Sequence, residues 1–197
     1  MVRAHRPLLV LVLLLWSGGP AVAGDFLTGR LLVATPQLED PNFGRTVVYM
    51  VNHDADGALG LIINRPLGQG PIHVFLKGFG IDVPDGGRTL RLYQGGPVDP
   101  GQGFLLHTDD YAEDATRKLP SGLALTTTLK ALEALARGDG PARSLFALGY
   151  AGWGPGQLES EIARGDWTDQ PADAERVFDR DTGTLWDRAR DREGVNL

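Results

Sequence analysis

The sequence predicts an α+β domain in which hairpins and helices are interleaved. Three observations carry this. Runs of β-branched and apolar residues flank Asp56-Gly57, the signal of a tight antiparallel hairpin. Leu129, Leu132, Leu135 and Ala136 recur at three and four residues before Gly138, the pattern of an amphipathic helix ended by glycine. Along the rest of the chain, strand and helix patterns alternate without the regular βαβ rhythm of a doubly wound sheet.

Taken in order, residues 31–34 form a short apolar run closed by Thr35-Pro36, and residues 46–51 are rich in strand formers, so both read as strands. Between them Glu39-Asp40-Pro41-Asn42-Phe43-Gly44 is a turn, with Pro41 keeping Asp40 out of the helical region. His53 to Gly57 then joins 46–52 and 58–64 as the arms of the hairpin. Residues 71–79 read as a short helix weakened by glycine, and 88–94 and 103–108 as strands joined by the loop 95–101. A polar stretch, 109–120, precedes a strand at 123–127 and the amphipathic helix. Residues 144–150 read as a strand buried on both sides, with Leu145, Ala147 and Gly149 on one face and Phe146, Leu148 and Tyr150 on the other. Gly152-Trp153-Gly154-Pro155-Gly156 breaks it. A helix over 157–164 follows, with Leu158 and Ile162 one turn apart, and short helices at 172–178 and 185–191 finish the chain.

The start of the chain has a different composition. Arg3, His5 and Arg6 make a basic head, Leu8 to Trp16 is an unbroken apolar run of nine, and Ala21-Val22-Ala23 supplies the small residues of a cleavage site. Nine residues are too few to span a bilayer. Residues 1–23 therefore read as a secretory signal peptide, the alternatives being a retained membrane anchor or a misassigned start codon, and residues 24–197 as one domain without an internal linker. On this reading the product is periplasmic or secreted and keeps no stable membrane span after cleavage. With no cysteine in the chain, disulfides, lipidation at sulfur and thiolate chemistry are all excluded.

The whole chain has a net charge of −6, and loss of Arg3 and Arg6 leaves 17 basic against 25 acidic residues, a charge of −8. A duplex-binding protein needs a basic face, and the basic residues are scattered, so direct contact with nucleic acid is not expected. Serine-hydrolase, zinc-protease and P-loop signatures are absent, and His53, His73 and His107 lack metal-ligand spacing, so neither a metal nor a cofactor is implied.

Three motifs remain. His53-Asp54-x-Asp56-Gly57 can orient an imidazole with a carboxylate, but lacks the further ligands of a calcium loop and reads first as a hairpin turn. The glycines from Gly149 to Gly156 between a strand and a helix can expose backbone N–H groups to an anion, yet Glu159 and Glu161 in the first turns would repel one. A turn that fixes Trp153 fits better. Asn64-Arg65-Pro66 and Gln94-Gly95-Gly96-Pro97 each end a strand and either point polar groups into a shared cleft or only reverse the chain.

Thr35-Pro36-x-Leu38-x-Asp40-Pro41-x-Phe43-x-Arg45-Thr46-Val47, His53-x-x-x-Gly57-x-x-Gly60-Leu61, Asn64-Arg65-Pro66, Gly95-Gly96-Pro97 and the run from Leu148 to Glu159 together resemble the AlgH/YqgE family. The resemblance covers residues 26–186. It implies a mixed α/β fold with a largely antiparallel, barrel-like, bifurcated sheet flanked by helices. It brings no established activity, only a proposed transcriptional role that gave the family its name. Members are usually cytosolic and begin near the position of Phe26, whereas this chain carries a leader, and residues 187–197 lack the usual closing segment.

The function expected from all this is a non-catalytic binding or interaction module for a protein or small ligand. The alternatives are a hydrolase-like or transferase-like enzyme with an unrecognised site, a transcriptional regulator, and, for location, the cytoplasm. The expected surface gathers Asp40, Arg45, Asn64, Arg65, Trp153, Gln157 and Glu159, with Arg45 as an anion clamp, Asn64 and Gln157 as hydrogen-bonding groups and Trp153 as an apolar wall. Against this stands an Asp40–Arg45 ion pair with a purely structural role. A cleft joining His53, Arg45 and Glu159 would favour the enzyme, and an exposed apolar patch around Trp153 the binder.

Overall fold

The computed structural model describes residues 26–191. The signal peptide read in residues 1–23 and its boundary at Gly24 lie outside the described residues, as do residues 192–197. The strands are β1 (Arg30–Ala34), β2 (Val47–Asp54), β3 (Gly57–Ile62), β4 (Pro66–Pro71), β5 (Thr89–Gln94), β6 (Val98–Thr108), β7 (Arg117–Leu119), β8 (Leu123–Thr126), β9 (Ser144–Trp153) and β10 (Trp167–Pro171). The helices are α1 (Ile72–Lys77), α2 (Leu129–Arg137), α3 (Gln157–Ala163), α4 (Ala174–Val177) and α5 (Thr182–Asp191).

All ten strands belong to one connected sheet, in the order β10-β1-β2-β3-β9-β6-β8-β7, with β4 and β5 branching from it. The fork lies on β9. Leu92, Tyr93 and Gln94 of β5 pair in parallel with Phe146, Ala147 and Leu148, and β3 pairs antiparallel with the continuation of β9 from Ala151 to Trp153. The opposite edge of β9 is held by β6. Two wings of sheet thus share one strand, giving the bifurcated, largely antiparallel α+β fold.

The sheet curls so that Leu31, Tyr49, Leu61, Leu106 and Leu145 meet in one interior layer, closed by Val177 of α4 and Trp186 of α5. Alternate residues of β1 to β3, among them Leu32, Val48, Met50 and Ile62, form a second layer under α3 with Trp153 and Trp167. The outer face of β5, β6 and β9 carries α1 and α2, which bury Ile72, Leu76, Ala131 and Leu132. Apolar removal from water on both faces is the main stabilisation here, about 25 cal/mol per Å² of apolar surface. Burial raises the Tyr49 phenol to about 12.

At the fork the backbones of residues 95–100 and of β9 run so close that side chains are excluded. A Cβ on Gly95 would lie 2.2 Å from the Gly149 carbonyl oxygen, and one on Gly96 would lie 2.1 Å from the carbonyl carbon of Tyr150. Gly-Gly-Pro is therefore the seam between the wings. Gly149 has φ of 70°, and this kink breaks the period-two alternation of β9. Tyr150, expected on the face of Phe146 and Leu148, is turned towards the layer containing Leu145 and Ala147 instead.

Other segments differ from expectation. The strand β9 runs on to Trp153, so its break begins only at Gly154. The loop read over 95–101 contains the first part of β6, and the polar stretch 109–120 contains β7. The strands β4 and β10 were not expected from the sequence pattern, and α1 is shorter than the segment 71–79.

Candidate functional site

The expected site residues divide into groups with different local roles. Asn64 and Arg65, just beyond β3, hold the Asp40–Arg45 turn. Asn64 Oδ1 accepts the Val47 N–H at 2.9 Å while its Nδ2 donates to the Arg45 carbonyl at 2.9 Å. The Arg65 guanidinium donates to the carbonyls of Asn42 at 2.7 Å, Gly44 at 3.1 Å and Pro41 at 3.3 Å. One cation thus ties down an irregular turn whose carbonyls have no strand partner.

Asp40 and Arg45 do not form the ion pair weighed from the sequence. Asp40 Oδ1 accepts the Asn42 N–H at 2.7 Å, an Asx-type turn. Arg45, with φ of 60°, donates to Asp187 at 3.0 Å and lies over the Trp186 ring at 4.3 Å, fastening the turn to α5. Phe43 reaches the other way, its ring centroid 6.2 Å from that of Trp153 and 5.8 Å from that of Trp167. It is this ring that connects the Asp40–Arg45 turn to the segment beyond β9.

Trp153 is buried at 6% exposure, so it forms no open apolar wall. Its indole N–H donates to Glu161 Oε2 at 2.8 Å, and Trp167 donates to the same oxygen at 2.9 Å. The other carboxylate oxygen accepts Gln157 Nε2 at 2.9 Å, and Gln157 Oε1 accepts the Gly154 N–H at 3.1 Å. Glu161, noted in the sequence only as a charge that would repel an anion, is the centre of this node. Its signal was the spacing of Gln157 and Glu161, i and i+4 on a helix between two tryptophans.

His53 and Glu159 do meet, with Nε2 and Oε1 3.1 Å apart. Leu27 N–H donates to His53 Nδ1 at 3.0 Å, so the ring proton belongs on Nε2 and points at Glu159. The ring is stacked edge-on by Phe26 and is 4% exposed. Arg45 stands before the first residue of β2 and His53 near its last, roughly 25 Å away at about 3.3 Å per residue, so the three-residue cleft does not form.

A different concavity lies at the N-terminal ends of the parallel pair β5 and β9. It has a volume of about 610 Å³, and its walls include Arg88 and Arg91 from the start of β5, Arg143 from the loop before β9, and Arg180 from the α4–α5 turn. Leu90, Tyr93, Leu145 and Phe146 provide apolar surface, and Gln69, Thr89 and Ser144 polar groups; no Asp or Glu contributes to the walls. Arg143 pairs with Glu175 and lies 5.4 Å over the Phe178 ring. Arg91 donates to Gln69 at 3.3 Å. Among the described residues neither Arg88 nor Arg180 has an ion-pair partner. A smaller cavity of about 450 Å³ adjoins it, sharing Arg143, Phe178 and Arg180.

This arrangement can bind and neutralise negative charge. A guanidinium offers only hydrogen-bond donors and positive charge. None of the seven residues expected from the sequence lines it. Among the described residues, no three His, Asp or Glu side chains gather as a metal site, and no helix is long and apolar enough to cross a membrane.

Comparison with known proteins gives a consistent picture. A family model described as AlgH-like matches residues 31–197. A UPF0301 protein of Methylococcus capsulatus is 48% identical over 170 residues, covering 86% of this chain and 93% of that protein. One from Afipia carboxidovorans is 45% identical over 180 residues, with 87% and 86% covered. Among solved structures, that of the AlgH protein from Pseudomonas aeruginosa superposes with a TM-score of 0.73 at 39% identity, covering 88% of this chain and 92% of the other. A protein of Corynebacterium diphtheriae shares the fold, with a TM-score of 0.67 at 23% identity and 86% and 88% coverage.

Proposed function

The chain belongs to the AlgH-like family, and on that premise we propose that it is a non-catalytic binding module whose ligand occupies the cleft at the N-terminal ends of β5 and β9. The observation that carries this is the composition of the walls: Arg88, Arg91, Arg143 and Arg180 line a space of about 610 Å³ together with apolar residues and no carboxylate. Pockets of a few hundred cubic ångströms with convergent polar groups are the usual form of a small-molecule site. Permanent cations orient and hold a ligand but supply no general acid or base near neutral pH.

The enzyme alternative draws on the His53–Glu159 contact. That imidazole is enclosed by Phe26 and has both nitrogens engaged, so a substrate would find no free ring nitrogen. A regulatory role, if the protein has one, would act through a bound ligand or protein rather than duplex DNA, since a net charge of −6 disfavours phosphate-backbone contact. Cleavage after Ala23 would put this activity in the periplasm or outside the cell; if residues 1–23 do not direct export, it stays in the cytoplasm.

Amide chemical-shift mapping with a library of small fragments tests the site. Perturbations are expected to centre on Thr89, Arg91, Ser144 and Phe146, with bound compounds recovered unchanged by mass spectrometry. Hits that centre elsewhere, or that emerge chemically altered, would overturn the proposal.

A further inference from the structure

Resting on the cleft as the ligand site, we propose that its ligand is a phosphate ester: a phosphate monoester or diphosphate of a small organic group, anchored by Arg91 and Arg180. The argument begins with charge. Arg88, Arg91, Arg143 and Arg180 wall the cleft without a carboxylate among them, in a chain with more acidic than basic residues. Like charges crowded around a concave surface raise its potential and favour a multivalent anion. Arg143 is already paired with Glu175 and Arg88 lies at the C-terminal end of α2, which leaves Arg91 and Arg180 to be matched from outside. A single carboxylate would balance one of them. A phosphate monoester carries roughly −1.5 to −2 near neutral pH and three acceptor oxygens, and a diphosphate more.

Geometry agrees with charge. A planar guanidinium pairs with two oxygens of a phosphate at once, a fit that a lysine cannot reproduce. Arg91 and Arg180 come from different elements, a strand and a turn, and both line this space. Phe178, half-buried beneath the Arg143 guanidinium, lines the same space, and its volume exceeds what a bare phosphate needs, which leaves room for an organic body on the ester. Arg88 has a second role: its guanidinium lies against Gly138 at the C-terminal end of α2, where a cation complements the helix dipole. It is therefore not the position to mutate.

Titration calorimetry on the full chain separates the possibilities, with adenosine 5′-monophosphate, glycerol 3-phosphate and inorganic pyrophosphate as probes and citrate as a carboxylate control. At least one of the two phosphate esters should bind, at least about tenfold more tightly than citrate, no more weakly than inorganic pyrophosphate, and more weakly as salt is raised. Arg91→Ala and Arg180→Ala should each weaken it about tenfold, as expected for loss of one charge-assisted contact. Tighter binding of the nucleotide would identify an aromatic body, and tighter binding of glycerol 3-phosphate an aliphatic one; either supports the proposal. No binding by either phosphate ester, citrate binding as tightly, or affinity indifferent to both substitutions would overturn it. The binding-module proposal would survive that failure if fragments still mapped to the cleft, and would fall only if they did not.

Discussion

Glu161 accepts the indole N–H of Trp153 at 2.8 Å, pinning the last residue of β9 to the second turn of α3. Because the same oxygen serves Trp167, replacing Glu161 with alanine strands two buried donors. An unsatisfied buried group costs about 1–3 kcal/mol, so Glu161→Ala should lose about 2–4 kcal/mol. Glu161→Gln, which keeps an acceptor, should lose less. Urea unfolding followed by tryptophan fluorescence measures both, and equal losses for the two variants would mean that packing rather than the acceptor matters there.

Asn64 and Arg65 are predicted to be stability residues. If Asn64 served a ligand, its removal would leave the fold unaffected; its two backbone contacts argue for a loss of about 1–2 kcal/mol in Asn64→Ala. Arg65→Lys keeps the charge but not the three-carbonyl fork, so amide exchange of Phe43 and Gly44 should accelerate while the rest of the sheet stays protected. Unchanged thermal stability in Asn64→Ala would restore that residue as a candidate ligand contact.

Stability should fall in mild acid because of His107. Desolvation by burial holds its imidazole below the usual 6.5, although the Thr108 carbonyl and the charges of Asp110, Asp109 and Glu113 act the other way. Nδ1 donates to Thr108 O at 2.8 Å and Nε2 accepts from Thr126 Oγ1 at 3.0 Å, with Tyr111 packed edge-on. The unfolded chain therefore binds a proton first, and the stabilisation present above pH 6.5 declines as the pH drops towards the depressed folded value. In urea titrations between pH 8 and 5, His107→Gln should start less stable and show a shallower pH slope than the wild type. An identical slope would assign the acid sensitivity to the carboxylates.

Processing of the leader predicts a product beginning at Gly24. Mass spectrometry of periplasmic, secreted and cytosolic fractions from a bacterial host reads this directly. Recovery of the intact chain from the cytosol alone would remove the export assignment.

The parts of this fold that were legible in the sequence are those whose burial imposes a period. The β2–β3 hairpin shows its Asp-Gly turn, and α2 its apolar stripe ended by Gly138 in the left-handed region. The strands that escaped notice lie at the margins of the sheet. The strand β4 carries two prolines and two glycines, which an edge position tolerates, β7 has only three residues, and β10 mixes Asp and Gln with Trp. The site was less legible than the fold. Conspicuous polar and glycine-rich motifs serve the Asp40–Arg45 turn, the Glu161 node and the fork. The cleft arginines come from three separate stretches of the chain, and those before and within β5 are brought beside Arg143 by the parallel pairing of β5 and β9, which no local pattern announces.

The fork also has a kinetic meaning. Since β9 provides the edges for β3, β5 and β6, the strand pairing that joins the two wings is not complete until Trp153 has been synthesised, and β1 waits longer still for β10. Each of these pairings closes a long loop, which slows folding relative to a chain of local hairpins. A nascent chain built this way stays open late in synthesis, a state that an export channel, which threads unfolded polypeptide, can accept.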